Sequence, residues 1–127
     1  MSSSRPAFAL PAPAGYSHVV TIPSGPLVWT SGQVGIAPDG GVAGDWETQT
    51  RVAFENVGRA LAAAGAGWRD VVKLTLYLVA TDALDTVRAV RDEFVDTSAP
   101  PTSSLVQVAG LFRPDLLIEV EAVASIA

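Results

Sequence analysis

The plainest pattern in the chain is the alternation from Val71 to Val79. Val72, Leu74, Leu76 and Leu78 fall on one side and Lys73, Thr75 and Tyr77 on the other, the period of a strand with one core face and one more polar face. A helical period precedes it. Phe54, Val57, Leu61 and Ala64 recur at i, i+3, i+7 and i+10, one stripe of a helix that opens at Trp46 behind the capping residue Asp45, with Glu47 in its first turn. Gly65 and Gly67 end that helix, and Ala60 and Ala62–Ala64 favour it and pack closely. A second helix, capped by Thr81 or Asp82, puts Leu84, Val87, Arg91 and Phe94 on one face and stops before Pro100–Pro101. Short β-rich segments supply the rest. His18–Ile22 and Leu27–Gln33 form an opening hairpin around Ser24–Gly25–Pro26, Pro38–Gly41 is a turn, and Ser104–Val108 and Leu116–Ala124 flank a turn at Arg113–Pro114–Asp115.

The predicted order is β-β-α-β-α-β-β, an α/β domain with one sheet and both helices packed on one of its faces. The other face, where Lys73, Thr75, Tyr77 and Glu119 mix with apolar side chains, suits an interface between subunits with a cleft in it. The 127 residues fit a single domain, with residues 1–14 as an extended segment broken by Pro6, Pro11 and Pro13. Only 17% of the residues are charged, against ~25% in an average domain, which leans toward apolar surface covered in an oligomer. The net charge is −5, and the basic residues are scattered singly. Nucleic-acid binding draws on clustered cations, so no nucleic-acid partner is expected. No segment has the length and apolarity of a membrane helix, and the prolines interrupt any signal-peptide core. The expectation is a cytoplasmic protein with no membrane partner. The absence of cysteine removes disulfides, thiol nucleophiles and thiolate metal ligands.

Candidate chemistry is sparse. Glu119 and Glu121 stand two apart on a predicted strand and so share a face, where like charges raise a pKa or require a cation. They either sit at an exposed edge or pair with Lys73, or one of them positions a water. Ser103 and Ser104, behind Thr102, either satisfy a turn or touch a ligand. Thr30–Ser31–Gly32–Gln33 is either a bulge or a place where a ligand approaches the backbone. Arg88, with Asp85 and Asp92 at helical spacing, reads first as a solvated ion pair. His18 has no ligand-type neighbour, so no metal site is expected. Gly40–Gly41 and Gly65–Ala66–Gly67 match neither a phosphate loop nor a dinucleotide fingerprint, and no cofactor is expected.

Five segments taken in order resemble the RidA/YjgF (endoribonuclease L-PSP-like) family. They are Gly15–Tyr16–Ser17, Trp29–Thr30–Ser31–Gly32–Gln33–Val34, Phe54–Glu55–Asn56–Val57 with Gly65, Asp70–Val71–Val72–Lys73, and Leu117–Ile118–Glu119–Val120–Glu121–Ala122–Val123–Ala124. The resemblance implies a chorismate-mutase-like fold and a homotrimer with ligand clefts between subunits. It also implies hydrolysis of reactive enamines and imines such as 2-aminoacrylate. It assigns Glu119 to orienting the attacking water, Ser31 and Gly32 to the cleft lining, and Tyr16 to its mouth. Arg88 falls where many members have an asparagine. The family's carboxylate-clamping arginine, in a P-x-R-[ST] segment, is matched here by Pro101–Thr102–Ser103–Ser104, so Ser103 stands at the arginine position. A serine offers one neutral donor in place of a charged fork. The implied activity is therefore a deaminase-type hydrolysis of C=N or enamine compounds other than generic 2-aminoacrylate turnover. Arg88 or Arg113 would replace the missing cation, and Ser103 and Ser104 would bind substrate. Two other readings stand beside it: a non-catalytic metabolite-binding or biosynthetic-partner protein using the same cleft, and a ribonuclease or translation inhibitor, which the acidic balance disfavours.

Overall fold

The computed structural model describes residues 3–5 and 13–126. Strands β1 (Leu27–Trp29) and β2 (Gln33–Val34) lead to helix α1 (Trp46–Ala63), a 3₁₀ turn (Trp68–Asp70), β3 (Val71–Leu78), helix α2 (Leu84–Arg91), β4 (Thr102–Gln107) and β5 (Ile118–Ser125). They build one mixed sheet in the order β1-β5-β3-β4, with β2 also paired to β5. Pairing is antiparallel everywhere except between β3 and β4. Parallel neighbours need a crossover between them, and α2 supplies it. Both helices cover one face, where Ala53, Phe54, Val57, Leu61 and Val87 join Leu74, Leu76, Leu78, Ile118, Val120 and Ala122 in a single buried cluster. Phe54 anchors it, stacked on Trp68 at 5.3 Å and tilted against Phe94 at 5.4 Å.

The expected α/β architecture with two helices on one face is the one observed, and the local differences have local causes. Residues 18–22 form no strand; Thr21 makes only an isolated bridge to Ser4, through two backbone hydrogen bonds of 2.7 Å. Pro23 and Pro26 bracket the next turn and lack N–H donors at its two flanks, where a hairpin ladder would begin. The second expected strand is instead split into β1 and β2, both along β5, which is why the element order survives. In α1, the Asp45 carboxylate accepts the Thr48 N–H at 2.8 Å as its cap, and this bond holds its pKa below the usual carboxylate range. Ala64 is the exposed C-cap and no part of the core stripe, and Gly65 follows at φ +78°. The residue before α2 is Ala83, without a side-chain cap, so neither Thr81 nor Asp82 caps it. In β3 the register shifts between Val71 and Lys73. This bulge puts Val71 into the core, 1% exposed, in place of Val72.

Gln49 holds the start of β5 to α1. Fully buried, its side chain donates to the carbonyls of Ala43 (2.8 Å) and Asp115 (2.7 Å) and accepts the Leu117 N–H (2.9 Å). Replacing Gln49 by Leu keeps the volume but leaves those three backbone groups unmatched. The expected loss is about 3 kcal/mol, read as a lower urea midpoint at equal protein concentration.

Candidate functional site

On β5 the alternation works as expected: Ile118, Val120, Ala122 and Ala124 are buried, while Leu117, Glu119, Glu121 and Val123 share the opposite face. The two glutamates have different surroundings. Glu121 accepts a short hydrogen bond from the Tyr77 hydroxyl. That bond, followed by desolvation and by the charges of Glu121 and Glu119, pushes the Tyr77 pKa up, so the phenol keeps its proton. Lys73, the cation suggested for the pair, donates instead to the Ser104 hydroxyl at 2.6 Å.

Glu119 makes no side-chain hydrogen bond or ion pair among the described residues, and its carboxylate lies over the backbone of Gly32. A Cβ built at position 32 would stand 2.1 Å from Glu119 Oε2 and 2.6 Å from its Cδ. The gap that admits it comes from the Thr30–Gln33 segment. Thr30 N–H donates to the Ala122 carbonyl at 3.0 Å, and the Thr30 hydroxyl accepts the Ala122 N–H at 3.0 Å in the manner of a backbone carbonyl. Strand pairing stops there and resumes at Gln33 and Val34, opposite Val120 and Glu119. The segment is thus both an interruption of the strand and the seat of a carboxylate. Asn56 pins its far end by donating to the carbonyls of Val34 (3.0 Å) and Ile36 (2.9 Å).

The remaining candidates lie elsewhere. Ser103 pairs in register with the buried Leu74, on the helix side of the sheet, and Ser104 with Thr75 on the other side. The two serines therefore belong to opposite faces, and Ser104 stands with Lys73. Ser103, Tyr16 and Arg88 line a cleft of about 550 Å³ between β4 and α2, with Arg91, Asp92 and Leu105. Tyr16 is brought there by Ser17, whose N–H donates to Pro101 at 2.8 Å and whose hydroxyl donates to the Pro100 carbonyl at 2.5 Å. Arg88 makes no ion pair with Asp85 or Asp92, so the solvated-pair reading does not describe it. Arg113 is held by Asp115 through bonds of 3.1 and 2.6 Å and lines a separate depression with Val79 and Leu116. Arg91 lines the cleft between β4 and α2, although the sequence reading placed it elsewhere. Its place on the apolar stripe of α2 marked it as core, and the signal was its charge among Leu84, Val87 and Phe94.

One chain thus carries two separate groups of candidates. Glu119 and Gly32 lie on one side of the sheet, with Ser31 next to Gly32 in the chain, and Tyr16, Arg88 and Ser103 lie on the other, behind β4. The outer face also carries exposed apolar side chains, Trp29 (73% exposed), Leu27 and Val106. Among the described residues no cluster of His, Cys, Asp and Glu could hold a metal ion, and no helix is long and apolar enough to cross a membrane.

The family model described as Endoribonuclease L-PSP matches residues 7–126. The 2-iminobutanoate/2-iminopropanoate deaminase of Salmonella typhimurium is 37% identical over 117 residues, covering 89% of this chain and 91% of that protein. A Rid-family protein, YyfB, from Yersinia pestis superposes with a TM-score of 0.90 at 31% identity, covering 99% of this chain and 100% of the other. The E. coli TdcF structure with bound serine gives a TM-score of 0.76 at 35% identity, covering 84% of this chain and 85% of that one. Sequence match and superposition both span nearly the whole domain, and the chain belongs to the RidA/YjgF (endoribonuclease L-PSP) family.

Proposed function

We propose that the protein hydrolyses a reactive imine or enamine in clefts formed where copies of the chain meet in a homotrimer. The observation that carries this reading is Glu119, a carboxylate without a partner among the described residues, seated against the bare backbone of Gly32. Such a group can accept a proton from water while holding the oxygen for attack. Water adds to the carbon of C=N, its proton passes through Glu119 to the nitrogen, and collapse of the carbinolamine releases ammonia and a carbonyl compound. An enamine enters after protonation on carbon. The only co-reactant the reaction consumes is water.

Substrate contacts come from Ser31 and Gly32 beside Glu119, and from Tyr16, Arg88 and Ser103 of a neighbouring copy. Ser104, oriented by Lys73, adds a hydroxyl on the outer face. Two features support assembly from two chains: the sheet separates the two groups within one chain, and the outer face exposes the apolar surface of Trp29, Leu27 and Val106. The 2-iminobutanoate/2-iminopropanoate deaminase among the relatives supports the reaction class. Ser103, at the position where the resemblance expects an arginine, separates this protein from generic 2-aminoacrylate turnover.

The test generates a panel of imino acids in situ with an amino-acid oxidase, traps what remains with semicarbazide, and compares decay with and without protein. Accelerated decay by a species that sediments as a trimer is the expected result. A protein that sediments as a trimer and accelerates the decay of no imine or enamine would overturn the hydrolase reading, and a monomer that remains active would overturn the shared cleft.

A further inference from the structure

We infer that α2 supplies a paired-guanidinium clamp, Arg88 and Arg91, for the carboxylate of a substrate with a bulky apolar side chain. This rests on the cleft reading above and specifies what the cleft holds. Arg88 and Arg91 are three residues apart on one helix and line the same 550 Å³ cavity, so their side chains lie over one another on one face. Arg88 is exposed, while Arg91 is only 8% exposed.

Arg91 is built into its place. Its Nε donates to Asp92 Oδ1 at 2.9 Å. Its Nη2 occupies space that Gly15 leaves free: a Cβ there would stand 2.0 Å from that nitrogen, and Gly15 is at φ +78°. Among the described residues neither Nη atom of Arg91 has an acceptor. The guanidinium is nine-tenths buried, yet its Nη atoms are not sealed off from the cleft, and these donors are placed to take an anion that enters it. On this side of the cleft Asp92 is already engaged by Arg91 Nε, which leaves Arg88 and the Arg91 Nη donors for a carboxylate.

The rest of the cleft sets the size. Leu76, Val87 and Leu105 give it apolar walls, and Ser103 takes little of its volume. The acid is held from the helix side, leaving the space along β4 for a side chain. A branched aliphatic or aromatic imino acid fills it, whereas the smallest imino acids leave most of it empty.

The experiment is a calorimetric titration of the full-length protein with phenylpyruvate and ketoisocaproate, the keto-acid products of such substrates. Pyruvate and the neutral amide of phenylpyruvate serve as comparisons. The two larger acids are expected to bind, with pyruvate and the amide at least about ten-fold weaker. Arg88→Gln and Arg91→Lys are each expected to weaken acid binding by about ten-fold or more, leaving amide binding unchanged. Arg88→Gln changes an exposed position, so it remains informative if the Arg91 variant folds poorly.

Equal binding of acid and amide, unchanged acid binding in both variants, or no binding of the larger acids would overturn the clamp. Acid binding lost in both variants of a protein that hydrolyses no imine would keep the clamp and reject the proposed reaction. Imine turnover with a KM insensitive to both substitutions would do the reverse.

Discussion

Glu119→Gln is expected to lower kcat for imine hydrolysis by about a thousand-fold, the scale of a lost general base, with KM and sedimentation unchanged. The substitution keeps the size and shape of the side chain and removes only its capacity to take a proton. Because Glu119 makes no hydrogen bond to the described residues, an amide in its place leaves no protein group unmatched and the fold should not register the change. The measurement is steady-state kinetics with semicarbazide trapping, beside a melting curve for each protein. Full activity in the glutamine variant would remove Glu119 from the reaction. The same loss from Glu121→Gln would show that the acting carboxylate is the one held by Tyr77.

Gly32→Ala is the second change with a large expected effect, and it separates position from charge. The added methyl would stand 2.1 Å from Glu119 Oε2, closer than any real contact, so the carboxylate must swing away. Gly32 is not among the positive-φ glycines, so its backbone accepts a side chain, and the atoms to be displaced are the free end of a flexible one. Stability should therefore change by less than about 1 kcal/mol, while kcat falls by about a hundred-fold, since an ångström of misplacement is that costly. Unchanged activity would mean that the carboxylate does its work from another rotamer. A large fall in stability would mean that Gly32 serves the fold and not the site.

Much of this was legible in the chain. The two-residue spacing of Glu119 and Glu121 places them on one face of any strand, and the stripe of Phe54, Val57 and Leu61 places them on the core side of any helix. Both conclusions need only the local period. The alternation on β3 was also legible, but its phase at the first residue was not. The bulge at Val72 is imposed by pairing with β5, whose facing residues lie fifty or more positions away, and it exchanges Val72 for Val71 in the core. Likewise the apparent strand at 18–22 had suitable residues but no partner beyond the single bridge at Ser4, and a strand without a neighbour has nowhere to place its hydrogen bonds.

The sequence by itself determined the order of elements from α1 onward, the α/β class, the shared face of the two glutamates and the residue types available for chemistry. These follow from periodicity and composition. Only the tertiary structure decided which of those residues meet. Adjacent Ser103 and Ser104 part to opposite sides of the sheet because β4 already runs from Thr102 and strand residues alternate, and the packing of α2 over one face decides that Ser103 is the one in the cleft. Arg91 changes from core residue to cleft residue because α2 overhangs that edge and Gly15 leaves room for its guanidinium. Arg113 stood beside Arg88 as an alternative cation, but Asp115 holds Arg113 while Arg88 lines the cleft. Such meetings depend on contacts between residues distant in the chain, and a local pattern does not encode which distant element will lie opposite.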